Sequence, residues 1–385
     1  MNPARLRDGH GAKWTAVELD VLPAWVADMD LGIPEPVSAR LLETIHRQDL
    51  GYPYWPGGDP VVAAFAERMR DRFGWQPREG RTRVLSDLIQ ILQIVIEHTT
   101  EPGDAIALHV PSYPPFLAAI HRAGRRIVAL PIEPAAAGWS LDLDRHRELF
   151  AATRPRLFVL VNPHNPTGRA FREAELRGLA EIAVEHGIPV LSDEIHADLT
   201  YRPHRHTPFA SLDPAVAELV ITATSATKAF NLAGTRCAVA HLGHTPTAEA
   251  LDRAPLDYFG TPSVLSRIAT VAAWRESDDW QQSVLRLLTH NRDRVTEWAA
   301  GHPELGYRPP EATYLAWLDF ARAGLPVAPA AEMLKQARVH LSAGAEFTQH
   351  TPVASDSFAR LNFATTTAVL DEILHRIDTA LERHA

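Results

Sequence analysis

The stretch SATKAFNLAGTR occupies residues 225–236 and follows the apolar run LVITAT at residues 219–224. LVITAT is short, apolar throughout and rich in β-branched residues, which predicts a strand that is covered on both faces. Two hydroxyl residues, a lysine and an arginine come after this strand. In open α/β sheets, ligands collect at the carboxyl ends of the strands. We therefore expect residues 225–236 to contribute to a binding site at the edge of a sheet.

The same strand-then-loop pattern recurs on both sides of this stretch. From about residue 81 to residue 243, short apolar runs alternate with helical patterns, and the predicted strands are 105–109, 126–132, 156–162, 188–192, 219–224 and 237–242. Between two of them, residues 172–186 have helical spacing, and Gly187 is a suitable C-terminal cap. The alternation predicts an α/β fold with a mainly parallel central sheet flanked by helices.

The pattern changes after about residue 263. Long helices are predicted at 280–300 and 367–383, with the strand-like run TYLAWLDF (313–320) between them. The proline-rich stretches at 34–36 and GYPYWPGGDP (51–60) precede the sheet. We therefore predict a large domain at 46–280 and a smaller α+β domain at 281–385, which the N-terminal segment 1–45 joins.

Composition restricts the classes of function. The net charge of −9 provides no positive field for a polyanion, so nucleic-acid binding is not expected. No apolar stretch has the length of a signal or a membrane span, and Cys237 is the only cysteine, so we expect a cytoplasmic protein without membrane contact. The histidines offer only one close pair, His204 and His206, without supporting ligands, and no metal is expected.

Four loops after predicted strands carry most of the chemistry. They are SDLIQ (86–90), NPHNPTGR (162–169), DEIH (193–196) and SATK (225–228). Together they supply a helix N-terminus, an amide, a carboxylate and a lysine around one crevice. These groups suit an anionic aromatic cofactor.

Lys228 is the central residue of this set. A lysine after a strand is ordinarily a solvated loop residue, but Ser225 and Arg236 lie close to it in sequence, and both side chains suit a phosphate ester. Pyridoxal 5′-phosphate (PLP) needs a lysine amine for its Schiff base, and the same amine can then move the α-proton of an amino acid.

Asp193 ends a predicted buried strand, where an unpaired carboxylate would be costly. A protonated pyridine nitrogen would be a suitable partner, and a helix N-cap is the alternative role. Asn165 could donate to the ring oxygen of the cofactor, although Asn-Pro is also common in turns. The amides of Leu88 and Ile89 begin a predicted helix and could bind phosphate. Tyr113, in SYPPF (112–116), could stack on the ring or could simply pack.

Taken together, these motifs resemble the fold-type I PLP enzymes of the class I/II aminotransferase superfamily along essentially the whole chain. SYPPF, NPHNPTGR, SDEIHADL, SATKAFNLAGTR and ARLNFA occur in the order that the superfamily shows. Within it, WVADMDLGIPEPV (25–37), GYPYWP (51–56) and His196 in place of the usual aminotransferase tyrosine resemble the MalY/PatB branch of C–S β-lyases, which includes cystathionine β-lyases.

The resemblance implies a role for each site residue. Lys228 would hold the cofactor covalently and would be catalytic together with Tyr113, which stacks on the ring, and His196 would lie beside the ring. Asp193 would contact the pyridine nitrogen and Asn165 the ring hydroxyl. The phosphate and substrate contacts implied are Ser225, Arg236, the amides of Leu88 and Ile89, Tyr52 from the neighbouring subunit, and Arg360 for the α-carboxylate. A site shared in this way implies a homodimer.

Three departures from the lyase pattern are present. Asp87 stands where many relatives have glycine, and it should repel a phosphate unless it caps the helix and faces away. Residues 365–367 are three threonines where many C–S lyases have Cys-Pro-Arg. Arg236 is more typical of aminotransferases.

The leading hypothesis is β-elimination from a cysteine S-conjugate, giving a thiol, pyruvate and ammonia. An aminotransferase shares the proton removal from Cα and is the first alternative. A biosynthetic enzyme that uses the same carbanion differently is the second. A regulatory protein that keeps the fold without turnover is the third, and the relatives of that kind carry a DNA-binding segment that we do not expect before WVADMD.

Overall fold

The computed structural model describes residues 3–135, 138–255, 258–326 and 328–384. Its strands are β1 (Leu22–Pro23), β2 (Thr82–Leu85), β3 (Ala105–Val110), β4 (Arg126–Pro131), β5 (Glu133–Ala135), β6 (Gly138–Ser140), β7 (Leu157–Val161), β8 (Val190–Asp193), β9 (Val220–Thr224), β10 (Ala238–Leu242), β11 (Gly306–Tyr307), β12 (Leu315–Asp319), β13 (Val339–His340), β14 (Ser342–Ala343) and β15 (Phe358–Asn362). The predicted strands therefore exist, with ends shifted by one or two residues.

The helices are α1 (Pro3–Arg7), α2 (Ala12–Thr15), α3 (Glu35–His46), α4 (Pro60–Phe73), α5 (Leu88–Thr99), α6 (Pro114–Arg122), α7 (Leu143–Thr153), α8 (Glu173–His186), α9 (Pro214–Ala217), α10 (Thr245–Arg253), α11 (Val264–Glu276), α12 (Asp278–Ala300), α13 (Pro329–Glu332) and α14 (Thr367–Leu381). Gly187 caps α8 with φ 61°, a left-handed conformation that glycine adopts without strain.

The central sheet has seven strands in the order β2-β10-β9-β8-β7-β3-β4. The five strands from β9 to β4 are parallel to one another, and β10 is antiparallel to both of its neighbours. Strands β3, β7, β8 and β9 are buried at every position, because helices cover both faces. The fold is thus the mainly parallel α/β architecture that the sequence predicts.

A second, antiparallel sheet has the order β11-β12-β15-β14 and is formed by the C-terminal third of the chain. The N-terminal strand β1 pairs in parallel with β13, so the two ends of the chain pack together. The backbone that follows β1 continues alongside this sheet, since the amide of Asn362 donates to the carbonyl of Ala24 over 2.8 Å. Residues on both ends of the chain are thereby brought to the edge of the large sheet.

Gly168 fixes the loop that follows β7. Its φ is +69°, and a Cβ atom there would lie 2.3 Å from the Cβ of Pro310. The carbonyl of Gly168 accepts from the amides of Glu311 and Ala312, both over 2.8 Å. Only glycine allows this close approach, which holds the NPHNPTGR loop against the segment that leads into β12.

Three histidines are buried together beneath this loop. His109 on β3 lies 5.3 Å from His146 on α7 and 6.4 Å from His164, measured between ring centroids. Within the described part of the chain, both ring nitrogens of His109 and His146 and Nε2 of His164 lack a hydrogen-bond partner. Burial lowers the pKa of His146 to about 4 and that of His164 to about 3, and it holds the pKa of His109 well below its usual value. All three are neutral in the folded protein at neutral pH.

Acid should therefore destabilise the protein through these histidines. Below the unfolded-state pKa of about 6.5 the unfolded chain binds protons that the folded chain does not, so the free energy of unfolding falls with falling pH until the folded pKa is reached. His146 and His164 together should remove roughly 3 kcal/mol between pH 6.5 and pH 5. Urea unfolding at several pH values measures this loss, and His146→Phe should reduce the slope by about one proton. An unchanged slope in that variant would contradict the prediction.

Candidate active site

A cavity opens at the carboxyl ends of the parallel strands. It encloses about 790 Å³, including the space at its open mouth. Nine of the residues that sequence reasoning selected line it: Leu88, Ile89, Tyr113, Asn165, Asp193, His196, Ser225, Lys228 and Arg236. The four loops therefore converge as predicted, because each follows a strand whose carboxyl end reaches the same edge.

Lys228 lies at the inner wall of this cavity. Its Nζ atom donates to the carbonyl of Ala27 over 2.7 Å and lies 3.9 Å from Oδ1 of Asp28. Burial lowers the pKa of the amine, and the nearby Asp28 opposes that shift. A lysine with a lowered pKa has a larger fraction of neutral amine, which is the form that attacks a carbonyl carbon.

Asp193 ends β8 with its carboxyl group almost fully buried. Its Oδ1 accepts from the amide of Ile195 over 3.1 Å, and burial raises its pKa to about 7. A buried carboxyl group with a single hydrogen bond requires a cationic partner to stay ionised. The adjacent Glu194 does not line the cavity. Its Oε2 lies 2.9 Å from Nε2 of His206.

Asp87 and Arg236 face each other at the start of α5. Oδ1 of Asp87 accepts from the amide of Gln90 over 2.9 Å and so caps the helix, while its other oxygen pairs with Arg236. Asp87 therefore does not repel an anion at this end of the cavity, because one of its oxygens caps the helix and the other is paired with the guanidinium of Arg236. The first-turn amides of Leu88 and Ile89 have no acceptor inside their own helix, so this end of the cavity suits an anion.

Ser225 belongs to the same end of the cavity. Its Oγ lies 2.5 Å from the carbonyl oxygen of Cys237 and 2.9 Å from Oγ1 of Thr227. Thr227 also lines the cavity, and sequence reasoning missed it although it stands next to Lys228. Two hydroxyls and an arginine thus surround the free amides of α5.

Arg360 on β15 is not among the residues that line the cavity, but it contacts Asn165, which lines it. One terminal nitrogen donates to Oδ1 of Asn165 over 3.0 Å, and the other donates to the carbonyl of Trp25 over 2.8 Å and to Ser342 over 3.2 Å. Burial lowers its pKa to about 10, and within the described residues no carboxylate forms an ion pair with it. Its Nε is buried without a hydrogen-bond partner in the same part of the chain. A buried guanidinium without a counter-ion favours an anionic ligand.

Two rings flank the space between Lys228 and Arg360. Tyr113 is half-buried and packs against Phe116 with 5.6 Å between ring centroids, and burial raises its pKa, so the phenol stays protonated. His196 is buried, its Nδ1 has no partner among the described residues, and burial lowers its pKa to about 3. Both rings are therefore neutral and can contact an aromatic ligand.

Residues 24–31, here called the strap, bring Ala27 to the lining of the cavity. Sequence reasoning named neither Ala27 nor Asp28 as a site residue. The carbonyl of Ala27 accepts from Lys228 and from the hydroxyl of Tyr314, the latter over 2.8 Å. Asp30 of the strap is buried against Lys13, with 3.0 Å between the charged atoms, and it accepts from Trp14 over 2.6 Å. The strap residues near Lys228 are Ala27 and Asp28.

Tyr52 does not reach the cavity of its own chain. Tyr52 is fully exposed to solvent, and Tyr54 is 84% exposed. Within one chain, Tyr52 therefore has no role in the cavity. His204 lies 3.8 Å from Glu311 and His206 lies 2.9 Å from Glu194, and among the described residues no group of three or more His, Cys, Asp or Glu side chains is placed to hold a metal ion.

The described groups fit PLP. Lys228 offers an amine, the buried carboxyl of Asp193 requires a cation such as a protonated pyridine nitrogen, and the start of α5 accepts an anion. The neutral ring of His196 and the half-buried ring of Tyr113 can both contact an aromatic ring. The fold and these groups define a PLP-dependent enzyme.

The chain belongs to the aminotransferase class I and II family, whose family model matches residues 28–377. It is 36% identical to a Mycobacterium tuberculosis protein provisionally named cystathionine β-lyase, over 96% of this chain and 94% of that one. It is 31% identical to the cystathionine β-lyase PatB of Bacillus subtilis, over 94% and 93% of the two chains. The structure of a PLP-bound C–S lyase from Staphylococcus hominis superposes with a TM-score of 0.89 at 27% identity, covering 97% and 96%.

A search of the described helices found none that is long and apolar enough to cross a membrane. Together, the family and its similar proteins establish a PLP-dependent enzyme that resembles carbon–sulfur lyases over almost its full length.

Proposed function

We propose that this protein is a PLP-dependent carbon–sulfur β-lyase that cleaves a cysteine S-conjugate, such as cystathionine, to a thiol, pyruvate and ammonia. The observation that carries the choice of elimination is the similarity to PatB, which extends over 94% of the chain. The charged groups of the site do not distinguish elimination from transamination, because both reactions begin with removal of the α-proton. The similarity therefore decides between them.

The residues that would hold the cofactor follow from their placement. Lys228 would bind it covalently, Asp193 would keep the proton on the pyridine nitrogen, and Asn165 would contact the ring hydroxyl. Tyr113 would stack on the ring, with His196 beside it. The phosphate would be held by Ser225, Arg236 and the amides of Leu88 and Ile89. When bound, PLP supplies an electron-poor ring that takes up the electron pair left at Cα.

The protein's own groups carry out the remaining work. Arg360 binds the α-carboxylate of the amino acid with two donors and so orients Cα. Nζ of Lys228 takes the proton when the Cα–H bond breaks, after which the Cβ–S bond breaks and the thiolate leaves. The strap and Tyr113 limit the access of water to this space. Hydrolysis of the remaining three-carbon fragment gives pyruvate and ammonia.

We also propose that the active enzyme is a homodimer in which Tyr52 completes the phosphate site of the neighbouring subunit. Five of the nine large apolar side chains that are exposed among the described residues lie between residues 42 and 54: Leu42, Ile45, Leu50, Tyr52 and Tyr54. Such a concentration of exposed apolar groups is typical of a protein–protein interface. A second copy of the chain would cover this segment and explain the exposed position of Tyr52.

The domain division and the location are proposed on similar grounds. The seven-stranded sheet lies within 46–280, and the four-stranded sheet lies within 281–385, with β1 of the segment 1–45 paired to β13. These positions support a large cofactor-binding domain and a smaller domain built from both ends of the chain. The buried free thiol of Cys237 is compatible with a reducing compartment, which supports a cytoplasmic location.

The test of the proposed reaction is incubation of the PLP-loaded protein with L-cystathionine without a keto acid. Thiol, pyruvate and ammonia should appear in equal amounts and increase with many turnovers, and each is measured separately. L-alanine is the matched control, since it has no leaving group at Cβ and can only transaminate. A keto acid formed from cystathionine without free thiol would overturn the lyase proposal in favour of an aminotransferase.

A further inference from the structure

Asp28 is a strap residue whose carboxylate faces Lys228. Its Oδ1 lies 3.9 Å from Nζ of Lys228, and the side chain is 33% exposed. Within the described residues, the Asp28 carboxylate accepts no hydrogen bond and forms an ion pair with Lys228 alone. The carboxylate thus points at the amine that carries the chemistry and is not used to stabilise the strap itself.

The backbone on both sides of Asp28 is held by two asparagines. Nδ2 of Asn362 donates to the carbonyl of Asp28 over 2.7 Å and also to the carbonyl of Val26. Asn231 accepts from the amide of Met29 over 3.2 Å, and its Nδ2 donates to the strap carbonyl at residue 31 over 2.7 Å.

These two asparagines come from the two segments that carry the chemistry. Asn231 lies three residues after Lys228, and Asn362 lies two residues after Arg360. The strap is therefore tied to the loop of the catalytic lysine and to the strand of the carboxylate-binding arginine. This arrangement fixes the carboxylate of Asp28 relative to Nζ of Lys228.

The other charged groups around Lys228 have other partners. Asp193, Arg360 and Arg236 all influence the pKa of its amine. Arg236 is paired with Asp87, as described above, and Asp193 and Arg360 suit the pyridine nitrogen and the substrate carboxylate.

Three further titratable groups lie near Lys228 or Asp28: His196, Tyr314 and Lys13. His196 is neutral, and burial raises the pKa of Tyr314 well above its usual value, so neither carries charge at neutral pH. Lys13 on α2 is paired with Asp30. Asp28 is therefore the carboxylate that remains for Lys228 when the other sites are filled.

We propose that Asp28 is a positioning residue that holds the nitrogen of Lys228 in its protonated form at the stage at which this nitrogen carries the proton taken from Cα. The Cα–H bond breaks, the proton passes to Nζ, and the electron pair stays with the substrate carbon and the cofactor ring. The Asp28 carboxylate supplies the counter-charge. This inference rests on the proposed function only for the role of Lys228.

The test is a pH titration of the visible absorption band of the holoenzyme, which follows the protonation of the nitrogen on Lys228. Removing a negative charge about 4 Å away makes the protonated form less stable, so the midpoint should move to lower pH in Asp28→Asn. We expect the midpoint to shift by about one pH unit. This is the low end of the range of shifts caused by an opposite charge at this distance, because Asp28 is partly exposed to solvent. Asp28→Glu, which keeps the charge, should restore most of the midpoint.

Glu346→Gln is the matched control. Glu346 is exposed and influences the pKa of Arg360 and His340, and it is not among the groups that influence Lys228. Its substitution should leave the midpoint in place. A midpoint that is equal in wild type and Asp28→Asn would overturn the proposal, as would an equal shift in Asp28→Asn and Asp28→Glu, which indicates a purely structural effect.

The titration uses no substrate and therefore stands apart from the lyase assay. With L-cystathionine, the acidic limb of the kcat–pH profile should also move to lower pH in Asp28→Asn, because Lys228 must be neutral to take the α-proton and its pKa falls when the Asp28 charge is removed. Absence of thiol release with a shifted titration would refute the proposed reaction and leave the role of Asp28 intact. Thiol release with an unshifted titration would refute the role of Asp28 alone.

Discussion

Lys228→Ala should lose covalent attachment of the cofactor and at least about 10³-fold of the lyase activity, because it removes the amine that both binds the cofactor and takes the α-proton. The chain contains only three lysines, Lys13, Lys228 and Lys335. Lys13 is buried in its ion pair with Asp30, and Lys335 lies on the turn that follows α13. Borohydride reduction followed by peptide mapping should therefore place the cofactor on a single peptide.

Lys335→Ala is the matched control for the loss of an amine, and it should keep both the visible band and the activity. Cofactor that remains reducible onto Lys228→Ala would contradict the assignment of Lys228.

The Lys228→Ala variant also tests the shared site when its subunits are mixed with those of Tyr52→Ala. Random mixing makes about half of the dimers hybrid, and each hybrid has one site with both residues intact, so about a quarter of the wild-type activity should return. No recovery would contradict the proposed role of Tyr52.

Much of the fold was accessible from the sequence because buried parallel strands produce continuous apolar runs. LFVLV and LVITAT predict β7 and β9 to within two residues, and the loops after them supply Asn165 and Lys228. The carboxyl ends of parallel strands meet at one edge, so a local pattern was enough to assemble residues that are far apart in sequence.

The strap could not be predicted in this way, since it is not a strand of the large sheet and has no periodic pattern. Its position depends on hydrogen bonds from Asn231 and Asn362, which lie about 200 and more than 300 residues away. The aspartates of WVADMD look equivalent in the sequence, and the structure separates them: Asp30 is turned into the core and Asp28 toward Lys228. The only sequence signal for this difference was Lys13, which can form a buried ion pair with one of the two carboxylates.

Asp87 shows the same limit at the phosphate end. From the sequence, a carboxylate beside the expected phosphate looked unfavourable. The structure uses one of its oxygens to cap α5 and pairs the other with Arg236, so two departures from the lyase pattern compensate each other. Arg236 adopts a left-handed backbone conformation with φ 55° at this point. Such compensation is visible only when both partners are placed.

Arg360→Lys should lower kcat/KM for L-cystathionine by about 10²-fold, mainly through KM. The guanidinium of Arg360 is held flat by Asn165, Trp25 and Ser342, and it lies 4.9 Å from the ring centroid of Phe347. A lysine ammonium cannot make this set of bonds and a two-donor contact to a carboxylate at the same time, and each lost charged hydrogen bond costs about 1.5–3 kcal/mol. Steady-state kinetics of both proteins measures the effect.

A substrate without the α-carboxylate separates recognition from general damage to the site. An S-substituted cysteamine should be a poor substrate for the wild-type enzyme, and Arg360→Lys should process it no more slowly than the wild type does, since the contact is already absent. Arg308→Lys, which alters a partly buried arginine stacked on Trp139 outside the cavity, should leave KM for cystathionine unchanged. If Arg360→Lys slowed both substrates equally, Arg360 would support the architecture of the site and the α-carboxylate would be bound by another group.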